Sequence, residues 1–150
     1  MAIFGFGKDD EQAAGPVFTT PVDPGWVRNP KGGFFSFLDL DPEELHLNGI
    51  GGVYLIWHRG VRPEWVFVGH TKDMANAFHS AGYNSEITFY EPNGGLYVAW
   101  APVREEYRAG VVKYIEANFK TLVPNPNSYT DNTRPVPVIA PSRTPPSKDK

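Results

Sequence analysis

The chain has 150 residues, of which 41% are hydrophobic and 14% aromatic, and this is enough apolar mass for one core but short for two. Its 14 Lys and Arg against 17 Asp and Glu give a net charge of -3, which argues against a general nucleic-acid binder. The absence of cysteine excludes disulfides, thiolate metal sites and a cysteine nucleophile.

The missing cysteine fits a reducing compartment, so the expected location is cytoplasmic, extending to the cytoplasmic face of a membrane-associated assembly. No apolar run reaches the roughly 18 residues that span a bilayer. Met1–Lys8 has no positively charged leader before its apolar patch and so makes a poor signal peptide. Ile3, Phe4 and Phe6 offer two contacts instead: docking on an apolar protein surface, or peripheral membrane contact through residues 1–8. Charge is unevenly distributed. Residues 1–47 carry three bases against eight acids, residues 48–127 seven of each, and residues 128–150 four against two. The central segment therefore has no basic excess with which to hold a phosphate backbone.

In chain order, Gly15-Pro16, Pro21, Pro24-Gly25, Pro30 and Gly32-Gly33 interrupt any period, so residues 1–40 read as an extended N-terminal arm. Its aromatics (Phe4, Phe6, Trp26, Phe34, Phe35) are expected to bind partner proteins, with folding back over their own domain as the alternative. Asp41-Pro42-Glu43-Glu44 predicts a helix start, with Asp41 as cap, Pro42 at the first position and two acids at the positive end of the dipole. Asn48-Gly49 and Gly51-Gly52 stop it within one or two turns.

Gly52–Arg59 is β-branched and aromatic and predicts a strand; Glu64–Gly69 predicts its antiparallel partner across the turn Arg59–Pro63. Asp73 then caps a short helix burying Met74, Ala77, Phe78 and Ala81, and Gly82 ends it. Ile87–Tyr90 is expected as a short strand or loop, and Leu96–Ala101 as a third strand. A longer helix is expected from Arg104 to Val123, burying Tyr107, Val111, Ile115, Phe119 and Leu122. After Asn127 the sequence turns Pro-rich, and residues 128–150 read as an extended tail. The expected organisation is thus an arm (1–40), an α/β (α+β) domain (41–127) and a tail (128–150).

The order hairpin, helix, strand, helix is common, but the residues placed on it are more specific. Gly52-Val53-Tyr54 opens the first strand, Phe67-Val68-Gly69 closes the second after a gap of 12, and Pro124-Asn125-Pro126-Asn127 follows the last helix. This pattern resembles the GIY-YIG nuclease superfamily over roughly half the chain. The resemblance implies one-metal DNA hydrolysis, in which a Tyr or His helps activate water. An Arg on the first helix steadies the phosphoryl charge and a Glu on the last helix holds the ion, a division of labour that suits phosphoryl transfer.

Carried onto this chain, the catalytic pattern is depleted. Tyr54 is retained at the first motif, but the second motif's tyrosine is Phe67. The family's Arg falls on Ala77, eight residues after Gly69, and its Glu on Gly110, fourteen before Pro124. Losing one transition-state group commonly costs a factor of about 100–1,000, so losing both the cation and the ligand should abolish turnover. Glu106 and Glu116 on the helix, and Arg59, Arg62 or Arg108 as cations, are the available substitutes.

Among His46, His58, His70 and His79 no pair has zinc-site spacing, so they read as surface or hydrogen-bonding residues, and no metal or cofactor is expected. Tyr54, Phe67, His70 and His79 would line the vestigial cleft, where any remaining ligand would bind. Gly5-Phe6-Gly7-Lys8 lacks the strand, spacing and hydroxyl of a phosphate loop. The expectation is a non-catalytic GIY-YIG-like structural or protein-interaction subunit. Residues 1–40 and 128–150 would anchor it in a larger protein assembly. The alternative is a divergent metal-dependent endonuclease or nucleic-acid-binding module.

Overall fold

The strand Gly52–His58 (β2) is buried along its whole length, which requires neighbours on both edges and cover on both faces. A computed structural model, which describes residues 19–142, supplies them. β2 pairs antiparallel with Glu64–Thr71 (β3) on one edge and Leu96–Ala101 (β4) on the other. The two-residue strand Phe35–Ser36, numbered β1 by chain order, pairs antiparallel with β4 and completes a four-stranded sheet in the order β1-β4-β2-β3. The fold is therefore α+β with an antiparallel sheet. Among the described residues no helix is long and apolar enough to cross a membrane.

Alternation along the strands divides the core into two sides. Tyr54, Ile56, Val66, Val98 and Trp100 face one side, where the helix Met74–Gly82 (α1) adds Met74, Ala75, Phe78 and Ala81. Val53, Leu55, Val68 and Ala101 face the other, covered by Tyr107, Val111, Val112 and Ile115 of the helix Glu105–Asn118. A register shift between Ile56 and Trp57 sets Trp65 opposite Trp57 and turns both Val66 and Phe67 toward the α1 side.

α1 begins as the sequence predicts: the Asp73 carboxylate accepts from Asn76 N–H, and also from Gly49 N–H at 3.1 Å, tying the helix to the chain ahead of β2. Three expectations are corrected. Residues 41–47 make a single hydrogen-bonded turn, in which Asp41 accepts from the N–H groups of Glu43 and Glu44, and no regular helix follows. His46, at φ 59, takes the chain out of helical geometry there. Ile87 lies in a short helix, Ser85–Thr88 (α2), because Asn84 caps it through Glu86 N–H while Ile87 anchors it in the core. The final helix, α3, ends at Asn118 rather than Val123. Phe119 turns extended, its ring packs edge-on to Trp65, and Leu122 and Val123 donate to the carbonyls of Trp65 and Val66. The segment thereby covers the otherwise open edge of β3.

The largest correction concerns the arms. Within the described residues they fold back over their own domain. Phe34 is buried edge-on against Trp57 at 5.0 Å, Phe35 stacks on Trp100 at 5.3 Å, and Trp26 is half-buried with its indole N–H donating to the Ile139 carbonyl. The three pack on apolar surface of the sheet that α1 and α3 leave uncovered. Val22 forms a parallel bridge with Val138, and the tail continues over α3, where Val136 and Val138 are buried. Phe4, Phe6, the membrane contact expected of residues 1–8, and the tail beyond Ser142 lie outside the described residues.

Candidate functional site

The vestigial cleft expected from the sequence does not assemble. Tyr54 and Phe67 are neighbours on the α1 side of the sheet, with ring centroids 6.1 Å apart. Tyr54 is 7% exposed and touches Phe78 edge-on, and its phenol lies so near Gly69 that a Cβ there would stand 2.6 Å from the hydroxyl. Burial pushes the phenol pKa up to about 12, so it is neither a proton acceptor nor an anion near neutral pH. Ala77, at the arginine position, is half-buried against the same cluster and offers only a methyl group.

His70 pairs with Val53 and therefore faces the α3 side, across the sheet from Tyr54. Its Nε2 lies 2.9 Å from the Ser128 carbonyl, which can only accept, so Nε2 carries the proton and donates. His79 sits on the exposed face of α1, with Nε2 2.9 Å from a Glu43 carboxylate oxygen. The four cleft residues thus occupy three separate places.

Gly110, where the resemblance would place a metal-binding Glu, faces the C-terminal tail. A Cβ on it would overlap the Arg134 carbonyl oxygen and stand 2.7 Å from Val136 Cγ2, while the Gly110 carbonyl accepts from Val136 N–H at 3.0 Å. Glycine is required because the tail backbone crosses α3 at contact distance. Four of the five substitute groups are committed elsewhere, and the fifth, Arg62, lies exposed in the β2–β3 turn. Glu116 accepts from the Tyr129 hydroxyl and from Asn125 N–H, both at 2.7 Å, and this bond is the first cause of a raised Tyr129 pKa. Glu106 pairs with Arg104 on the surface at 3.4 Å. The Arg108 Nε–H donates to the Val103 carbonyl and its guanidinium packs against Gly51, while Arg59 lies over the Tyr97 ring. Among the described residues no group of three or more His, Asp or Glu is arranged to hold a metal ion.

Hollows lie elsewhere among the described residues, one of them between residues 85–90 and 122–124. A broad one surrounds the β2–β3 turn and includes Arg59, Arg62, Glu64 and Asn93. Its buried member, His58, has both nitrogens engaged: Nε2 is 3.1 Å from Glu64, and Nδ1 accepts from Gly60 N–H. Because Nδ1 accepts, Nε2 carries the ring proton and donates it to the Glu64 carboxylate, so the ring braces the turn. A smaller hollow opens between residues 37–42 and the C-terminal turn of α1, with Leu38 44% and Tyr83 89% exposed beside it. The sequence offered no sign of it, since Leu38 and Tyr83 are single apolar residues in irregular segments.

No protein-family model, curated protein or solved structure matches this chain.

Proposed function

We propose that this chain is a non-catalytic protein-interaction or structural subunit built on a degenerate GIY-YIG-like domain. The observation that carries this reading is the crossing at Gly110: where the family's pattern asks for a metal-bound carboxylate, the backbone of residues 134–136 occupies the space. Further support comes from Tyr54, whose buried, proton-holding phenol is unsuited to activating water. His70 adds to it, lying across the sheet and bonded to the backbone. Anchoring of the chain in an assembly would fall to exposed surface and to the terminal segments outside the described residues, since the described parts of both arms complete the domain's own core.

The test is a plasmid-nicking assay with magnesium or manganese, paired with electrophoretic DNA binding at low salt. The expected result is no cleavage and no binding, together with a stable protein partner recovered by cross-linking of the native assembly. Nicking that disappears in Tyr54→Phe would establish the divergent nuclease instead.

A further inference from the structure

The small hollow beside α1 has three properties that together specify an occupant. Leu38, Leu40, Pro42, Gly82 and Tyr83 give it apolar walls, and His79 closes one side. Its volume is about 150 Å³. Small-molecule sites run to about 300–1,000 Å³, so this space suits one side chain rather than a ligand. Its floor is open at Gly82, where a Cβ would meet nothing within 4 Å.

The third property is charge. Asp39, Asp41, Glu43 and Glu44 alternate with the wall residues and are all exposed. The residues lining the hollow include no lysine or arginine, and the one imidazole among them, His79, is already hydrogen-bonded to Glu43. None of the four lines the hollow itself, but a run of four acids beside its walls in sequence disfavours a phosphate backbone and an anionic lipid surface alike. They complement lysine and arginine. Exposed apolar side chains rimmed by polar groups are the usual mark of a protein contact, with one buried anchor carrying most of the binding energy.

We infer that this hollow seats a single apolar side chain from a basic segment of a partner protein. The inference rests on the interaction-subunit reading and names the partner's chemistry. The anchor enters over Gly82 between Leu38 and Tyr83, and flanking lysines or arginines meet the carboxylates of residues 39–44. Association should therefore be fast at low salt and weaken as salt screens the rim.

The experiment selects a random twelve-residue peptide library against the full chain. Affinities of the selected peptides are measured and their contacts mapped by amide NMR shifts. Enriched peptides should carry one Leu, Met, Phe or Trp flanked by at least two basic residues, with shifts centred on Leu38, Gly82 and Tyr83. Gly82→Leu adds bulk to the hollow's lining at a position where a Cβ meets nothing within 4 Å and removes no charge, and it should weaken binding about tenfold or more. Glu43→Gln with Glu44→Gln should weaken it several-fold and flatten the salt dependence. Acidic or uncharged consensus peptides, shifts on another face, full affinity in Gly82→Leu, or no enrichment would each overturn the assignment. A cross-linked native partner that survives Gly82→Leu removes the hollow but leaves the interaction subunit standing. Nicking that depends on Tyr54 removes the subunit reading itself.

Discussion

Gly110 and Gly69 are both held to a hydrogen side chain by what crosses them, tail backbone in one case and the Tyr54 phenol in the other. Placing a carboxylate there with Gly110→Glu should therefore not create a metal site. It should push the tail off α3 and destabilise the fold by at least about 2 kcal/mol, read as a lower urea midpoint with no nicking gained. Tyr54 gives a second measurable consequence. Its folded pKa of about 12 lies above the ordinary value of 10. The neutral phenol is the form the core accepts, so its contribution is fully present below pH 10 and is lost as pH rises from 10 toward 12. The linkage is worth roughly 3 kcal/mol. Tyr54→Phe keeps the ring contacts with Phe67 and Phe78, so stability at pH 7 should change little and the fall between pH 10 and 12 should become shallower. Unchanged alkaline sensitivity in Tyr54→Phe would show that another group governs it.

At the scale of elements, α3 is held from both directions. Its inner face packs on the sheet, and its outer face carries the tail, which Lys113 grips by donating to the carbonyls of Thr130, Asp131 and Thr133. Val136 and Val138 are 3% and 1% exposed, so the tail is part of the core rather than a strap over it. Ending the chain after Thr133 removes both valines. At about 1.5–3 kcal/mol each, the truncation should cost roughly 3–6 kcal/mol, much of the stability of an ordinary domain. A truncated chain that unfolds at the same denaturant concentration would contradict this packing. The sequence announced β2, β3, β4 and α1 because hydrophobic alternation and the Asp73 cap are local signals, but it missed β1, whose two residues are too few to show a period. It misplaced the end of α3, since Phe119 and Leu122 continue the helical spacing while the edge of β3 offers the backbone of Leu122 and Val123 better partners. It read Ile87 as strand or loop because four residues are too few to display a period.

At the scale of the molecule, the two terminal segments are bound to each other as well as to the domain. Val22 N–H donates to the Pro137 carbonyl and Ile139 N–H to the Val22 carbonyl, with Trp26 closing on Ile139. They should open as one unit. Amide hydrogen exchange at Val22 and Ile139 is expected to slow together in the intact chain and to quicken together when either segment is cut back. Independent exchange of the two would break that coupling. Sequence alone determined the antiparallel hairpin, the third strand and the helix that caps at Asp73, because each is written in neighbouring residues or fixed spacings. Only the tertiary structure decided that Phe34, Phe35 and Trp26 serve this core, that His70 and Tyr54 stand on opposite faces, and that Leu38 and Tyr83 share one hollow. Those outcomes depend on which apolar surface the sheet leaves uncovered and on which residues, distant in sequence, are long enough to reach it.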